Sequence, residues 1–323
     1  MISGKQIIKY LFPYLVQSYL VKRVEKEFLK TKDVKKTIVD NYYKNFKIIL
    51  DLDCPKGFYD KVNYLKLYQD DACFYKYVDK IQAKSIARRL SNDIKISNLI
   101  DSFDRFIDFK RAVNSNYLPD HCVIKLNHSS GDVYFYKEGK WYDKHGDKIS
   151  KREVFAILKA RLNLNYYHTD FERCYDKINR KIMVEEFLPS AGGLPEYKIF
   201  CNNGKPVMLN VVYGRQNGKE VEEAFTDVNL KKYPVYQDQG IIDQKNIFKP
   251  VCYEKMLDFA KKASEQFAMI RVDLLTDGND FYFCEFTFYD FGGNAIFYPL
   301  EWNEKIGSLF DISTFKRVNT NQK

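Results

Sequence analysis

The spacing of apolar residues changes along the chain, and each change predicts an element. Apolar positions 256, 257, 259, 260, 263 and 267 recur at helical spacing and predict a helix over 253–267. Positions 83, 86, 87 and 90 mark one face of a helix within a helical stretch from 58 to about 99. Ser150-Lys151-Arg152-Glu153 reads as a capping box, opening a helix that runs to about 164. Strands are expected over 121–127 and 133–136, separated by the polar turn 129–132, and again over 181–188. Asn203-Gly204 between 197–201 and 206–212 is a strong hairpin signal. A further hairpin is expected from 271–275 and 281–288, closed by a three-residue loop, Gly278-Asn279-Asp280. Residues 1–50 read as helical, and Cys54-Pro55-Lys56-Gly57 makes the first clear break. Antiparallel hairpins with helices against them predict an α+β fold.

At 323 residues the chain is long enough for two or three packed subdomains. No run of eighteen apolar residues exists, and the 7–16 stretch is interrupted by Lys9 and Pro13, which argues against both a span and a secretion signal. Seven scattered cysteines with no Cys-x-x-Cys pair argue for a reducing cytoplasm, without disulfides or zinc. The net charge of +9 is uneven: residues 1–50 hold eleven Lys/Arg against four acids. That basic segment suits either an anionic membrane surface or a solvated helix that packs its apolar stripe on the body. No nucleic-acid motif accompanies the charge, so no nucleic-acid partner is expected.

The 271–288 hairpin carries the strongest chemical signal. Asp273 and Glu285 are equidistant from Asn279, so the expected loop sets them opposite each other, with Thr287 on the face of Glu285. Opposed carboxylates repel, and a divalent cation would relieve the conflict; the alternative is a salt bridge to Arg271 or a lysine. Lys125 stands on a strand just before the small-residue loop His128-Ser129-Ser130-Gly131, whose backbone N–H groups suit phosphate, although the loop alone reads more readily as an ordinary turn. His128 is a candidate to orient an acceptor carboxylate or a plain turn histidine. Lys198 faces either the site or solvent, and Glu185 and Glu186 point to opposite strand faces.

Taken in order, Tyr64-Leu65-Lys66-Leu67-Tyr68, Asp79-Lys80, the Lys125–Gly131 stretch, Val184-Glu185-Glu186-Phe187, the 196–206 stretch, Arg271-Val272-Asp273-Leu274 and Glu285-Phe286-Thr287-Phe288 resemble the TupA-like family of the ATP-grasp superfamily. This family is named for teichuronopeptide synthesis and found with bacterial capsule and cell-surface polysaccharide genes. The resemblance spans about residues 55–310. It implies two α+β lobes gripping ATP, with a helical N-terminal extension. It further implies that Lys80 and Lys125 meet the phosphates beneath a lid of His128, Ser129, Ser130 and Gly131. Glu186, Phe187 and Leu188 would read the adenine edge through their backbone, with Glu185 close by. Glu196 would reach the ribose or the lysine network that includes Lys198. Asp273 and Glu285, with Thr287 behind them, would bind one or two Mg²⁺ ions, and Arg271 and Arg215 would hold the transferred phosphate or the oxyanion. Two departures stand out: Thr287 replaces the Asn of many ATP-grasp enzymes, and Ser129 replaces a glycine that the family loop tends to carry.

The divisions implied are a basic extension (1–54), a region before the grasp (55–118), a small lobe with the lid (119–184), a large lobe with the metal site (185–312) and a tail (313–323). The activity implied is an ATP-dependent ligation of a carboxylate to an amine, forming an amide through an acyl phosphate. By analogy the carboxylate is a uronic or related sugar acid and the amine an amino acid or amino alcohol. The setting is cytoplasmic, with peripheral contact at the inner membrane face. Two alternatives stay open: an ATP-grasp phosphotransferase or ligase with another acceptor, and a non-catalytic nucleotide- or glycan-binding partner.

Overall fold

A computed structural model describes residues 12–188, 194–214, 221–237 and 247–317. The basic segment forms two helices, α1 (Pro13–Lys30) and α2 (Val34–Phe46), the second capped by the Asp33 carboxylate, which accepts from Lys36 N at 2.9 Å. Then come α3 (Phe58–Tyr68), the short α4 (Tyr75–Val78) and α5 (Lys80–Leu90). Asp79 caps α5 by accepting from Ile81 N at 3.0 Å, which sets Lys80 at its first turn and Lys84 one turn on.

A six-stranded antiparallel sheet follows: β1 (Leu99–Phe103), β2 (His121–Leu126), β3 (Val133–Lys137), β4 (Lys140–Tyr142), β5 (Lys148–Ile149) and, after intervening helices, β6 (Ile182–Glu186). Its order is β1-β6-β2-β3-β4-β5. The sheet thus takes in β1, from before the intervening helix, and β6, which carries Glu185 and Glu186. The helices α6 (Phe106–Asn114) and α7 (Lys151–Arg161) share its core through Phe109, Phe155 and Trp141. Ser150 caps α7 as its sequence predicts, accepting from Glu153 N at 3.2 Å. The short α8 (Tyr167–Asp170) lies beside α1, where Phe28 stacks on His168 with ring centroids 4.0 Å apart.

The larger core surrounds a five-stranded antiparallel sheet of order β12-β11-β7-β8-β9. Its strands are β7 (Glu196–Asn202), β8 (Lys205–Tyr213), β9 (Glu222–Thr226), β11 (Met269–Thr276) and β12 (Phe281–Thr287). Asn203 and Gly204 join β7 to β8 with φ of 48° and 78°, the left-handed pair a two-residue hairpin needs. The helix α9 (Tyr253–Ser264) buries Met256, Phe259, Ala260 and Ala263 against this sheet, the face its spacing predicts. A two-stranded sheet of β10 (Tyr236–Gln237) and β13 (Phe297–Tyr298), and α10 (Trp302–Gly307), complete the described fold.

Candidate functional site

The β11–β12 hairpin reaches its register by a route that differs from the expected one. Thr276 pairs with Phe281, so four residues, 277–280, form the loop instead of three. That loop alone would set Asp273 against Cys284. A bulge at Cys284 inserts one residue and returns Glu285 to the position opposite Asp273, with Thr287 opposite Arg271. The Asp277 carboxylate holds the loop by accepting from Asn279 N at 3.1 Å and Asp280 N at 2.8 Å.

Asp273 is also paired with Lys198 on β7, and Lys198 with Asn210 on β8. Four strands therefore carry a cross-strand row: Asn210, Lys198, Asp273, Glu285. Arg271, two residues before Asp273 on the same face, grips both its oxygens, Nε at 2.7 Å and Nη2 at 2.8 Å. Its Nη1 donates to Asp290, and Nη2 reaches Thr287 Oγ1 at 3.3 Å. Asp290 also accepts from Tyr59 Oη at 2.7 Å and Gln237 Nε2 at 3.0 Å. Arg271 thus serves first as a bracket between two buried carboxylates. Burial raises the Asp273 pKa against the pull of Arg271, while for Arg271 the two aspartates outweigh burial and keep it charged. Glu285 is the exposed end of the row, at 33 % of its side chain. Burial pushes its pKa up, but Lys80, Arg271 and Lys198 outweigh that and hold it at about 2.

On the six-stranded sheet, Glu185 faces Val123 across β6–β2, so Lys125 is its diagonal neighbour on the same face. Glu185 Oε2 lies 2.8 Å from Lys125 Nζ, and Oε1 pairs with Lys84. Lys84 also donates to Ser97 O at 2.7 Å and Ser97 Oγ at 2.6 Å. The Glu185 side chain is only 2 % exposed; burial raises its pKa, and the two lysines reverse this to a net lowering. Its neighbour Glu186 points outward, accepting from Asn98 Nδ2 at 2.9 Å, while Glu186 N donates to Asn98 O at 3.0 Å. That backbone donor is engaged within the protein. Phe187 and Leu188 are half-buried, and Phe187 packs edge-on to Phe135 beneath Lys137 Nζ, 4.6 Å from its ring centre.

Lys80 bridges the two sheets. Its ammonium lies 3.3 Å from Glu285 Oε2 and donates to Ser129 O at 2.8 Å, tying the 128–131 loop to the carboxylate row. Within that loop Ser130 and Gly131 are exposed, Gly131 with φ of 81°, while Ser129 is buried and donates to Asp132 Oδ2 at 2.7 Å. His128 is buried; Nδ1 lies 3.3 Å from Asn127 Oδ1 and Nε2 3.2 Å from Arg161 O. Burial lowers its pKa to about 4, so it is a neutral anchor at the base of the loop. Glu196 starts β7 with its carboxylate 4.0 Å from Lys198 Nζ. Arg215 lies outside the described residues.

Sequence reasoning brought Lys80, Lys125, Lys198, Asp273, Glu285 and Thr287 into play but passed over Lys84 and Asp290. Lys84 carries a signal, one helical turn after Lys80 on the same face. Asp290 carries none, because a 3₁₀ turn (Asp290–Gly293) brings it back to Arg271.

The oxygens of Asp273 and Glu285, with the Thr287 hydroxyl next along, are hard donors of the kind magnesium takes. No cluster of three or more His, Cys, Asp or Glu able to hold an ion occurs among the described residues. Two carboxylates fit Mg²⁺ carried in on phosphate oxygens, since that ion usually keeps only one or two protein ligands there.

Two antiparallel sheets linked through Lys80, with an opposed carboxylate pair on one of them, accord with the ATP-grasp class. The chain belongs to the TupA-like ATP-grasp family, whose model matches residues 60–311. No curated protein matches. Among solved structures, D-alanine–D-alanine ligase from Helicobacter pylori is 14% identical, with a TM-score of 0.40, over 78% of this chain and 65% of that one. The same enzyme from Bacillus anthracis, complexed with ATP, is 15% identical, with a TM-score of 0.35, over 66% and 55%. The macrocyclase MdnC from Microcystis aeruginosa, bound to its precursor peptide, is 11% identical, with a TM-score of 0.33, over 74% and 61%. The chain thus spans less than two thirds of the length of these structures, and such distant likenesses carry no argument below.

Proposed function

We propose that the protein is an ATP-dependent carboxylate–amine ligase. A substrate carboxylate oxygen attacks the γ-phosphorus of ATP, the bond to the β–γ bridging oxygen breaks, and ADP leaves. The amine lone pair then attacks the acyl-phosphate carbon; the C–N bond forms, inorganic phosphate departs with the C–O electrons, and the amine proton passes to solvent. This chemistry needs no protein nucleophile, so positioning and electrostatics must supply the rate.

The observation that carries the reading is the convergence of Lys80, Lys125, Arg271 and Lys198 on Asp273, Glu285 and Glu185 between two sheets. Lys125, steered by Glu185, is suited to phosphate oxygens. Lys80 is suited to follow the phosphates and draw the lid with it through Ser129. Asp273 and Glu285 would hold Mg²⁺, which supplies charge stabilisation at the transferred phosphoryl group. Arg215 remains a candidate for the same phosphate.

The proposed acceptor is a uronic acid, or its nucleotide-linked or polymer form, in the making of a bacterial capsule or surface polysaccharide, in keeping with the family's associations. Work at the inner membrane face is supported by α1. No described helix is long and apolar enough to cross a membrane. Yet α1 leaves Leu15, Tyr19 and Leu29 at 70%, 65% and 80% exposure beside Lys22, Arg23 and Lys26. A coupled ADP-release screen of uronic acids and their nucleotide sugars against an amine panel tests the proposal. ADP release that needs both partners is expected. Release without an amine would favour a phosphotransferase, and no binding of Mg-ATP would favour a non-catalytic partner.

A further inference from the structure

Lys66 belongs to the Tyr64–Tyr68 motif, yet it takes no part in the phosphate site. It is buried on α3, where its ammonium donates to Gly292 O and forms no ion pair with any described carboxylate. Asp170 and Glu172 act on it from beyond contact distance. Beside it is a cavity of about 140 Å³, bounded by α2, α3, the end of α8 and the Asp290–Gly293 turn. Asn41, Asn45, Asn63, Lys66, Asp170 and Asn294 contribute to its polar lining, with a second cation, Lys44, also on it. The cavity is far smaller than the roughly 300–1,000 Å³ that drug-sized ligands occupy, so it suits a molecule of a few heavy atoms.

The lining is complementary to two opposite charges. Lys66 has donor capacity left for an anion. Asn63 is almost wholly buried; its Nδ2 donates to Tyr59 O at 2.9 Å and Gly293 O at 2.8 Å, and its Oδ1 accepts from no protein group. An acceptor fixed in this way, near the Asp170 carboxylate, calls for an N–H donor. The turn hugs these groups: a Cβ on Gly293 (φ 80°) would lie 2.5 Å from Asn63 Oδ1, and one on Gly292 (φ 61°) 2.9 Å from Asp170 Cβ. The same turn starts at Asp290, which Arg271 brackets to Asp273, so the cavity is one short turn from the carboxylate row.

Resting on the ligase reading, we infer that this cavity binds the amine substrate, and that this substrate is a free α-amino acid, its carboxylate toward Lys66 and its ammonium toward Asp170 and Asn63 Oδ1. Helix α2 of the basic extension then forms one wall of the amine site, a purpose its charge alone did not reveal.

Calorimetric titration of the full chain, with and without saturating Mg-AMPPNP, tests this with glycine, alanine, serine and aspartate against ethanolamine and acetate. At least one amino acid should bind about tenfold or more tightly than ethanolamine, which lacks the carboxylate, and than acetate, which lacks the amine. Lys66→Met and Asp170→Asn should each weaken amino-acid binding about tenfold and leave Mg-AMPPNP affinity unchanged. Because Lys66 is buried, Asn41→Trp on the α2 wall provides a second variant; it should block amino-acid binding without disturbing the core. Equal binding of amino acids and ethanolamine, or an Asn41→Trp variant that still binds amino acids normally, would overturn the inference. Failure of Mg-AMPPNP to bind would overturn the ligase reading instead, and the nucleotide-free titrations would still decide the cavity.

Discussion

The two sheets each present carboxylates to lysines, but with opposite balances of charge. On the six-stranded sheet one carboxylate, Glu185, lies between Lys84 and Lys125. It is enclosed and outnumbered, and it holds Lys125 in place. On the five-stranded sheet Asp273, Glu285 and Asp290 share Arg271, with Lys80 and Lys198 at the margins. There the carboxylates open toward solvent at Glu285, and a cation could be exchanged for the protein's own. Ion pairs of similar appearance thus divide into an enclosed brace at Glu185 and an open pair at Glu285, the latter being the proposed metal clamp, and exposure of the carboxylate separates them.

The largest expected effect falls on the clamp. Asp273→Asn and Glu285→Gln should each lower ADP-forming turnover by about 100-fold or more, read in a coupled assay at saturating Mg-ATP. Breaking the brace should act on folding. Glu185→Gln leaves the buried Lys84 and the half-buried Lys125 without their counter-charge and should destabilise the protein by about 3 kcal/mol in urea titrations. If Glu185→Gln left stability intact, brace and clamp would not differ in kind.

His128 provides a pH test of the loop that joins the two sheets. Its folded pKa is depressed from 6.5 to about 4, so the folded state resists its protonation. The corresponding stability is fully present above pH 6.5 and is lost as pH falls toward 4, by roughly 3 kcal/mol in all. His128→Asn should flatten that stretch of the stability–pH profile. A slope that persists would show another group to be responsible. Glu285, held at about 2, acts at lower pH: its stabilisation is present above its ordinary 4.5 and lost as pH falls through about 2. The smallest effect is expected at Thr287→Val, which removes one 3.3 Å hydrogen bond to Arg271 and should change turnover only a few-fold.

Much of this arrangement was legible in the sequence, for local reasons. The Ser150 cap, the Asn203-Gly204 turn and the apolar stripe of α9 are each written within a few residues, and each appears as read. The pairing of Asp273 with Glu285 was also foreseen, but the loop that produces it was not. Equidistance from Asn279 cannot distinguish a three-residue loop from a four-residue loop corrected by a bulge, and Cys284 carries no signal for one. Asp290 and the Lys66 cavity were invisible because their partners are brought together by packing between distant segments, whereas Lys84 was passed over although it stands one helical turn after Lys80. Arg271 was read as a phosphate ligand, since nothing nearby in sequence announces Asp290 as its second partner. The short strands β1, β4 and β5 escaped because two to five residues are too few to establish a period.

On the proposed ligase reading, Asp273 and Glu285 give up protein cations for a metal ion that arrives with ATP. Calorimetric titration of ATP into wild-type protein and the Asp273→Asn variant, each with Mg²⁺ and with EDTA, tests it most directly. Tight binding only in wild-type protein with Mg²⁺ is predicted. Equal ATP binding in all four titrations would contradict the account.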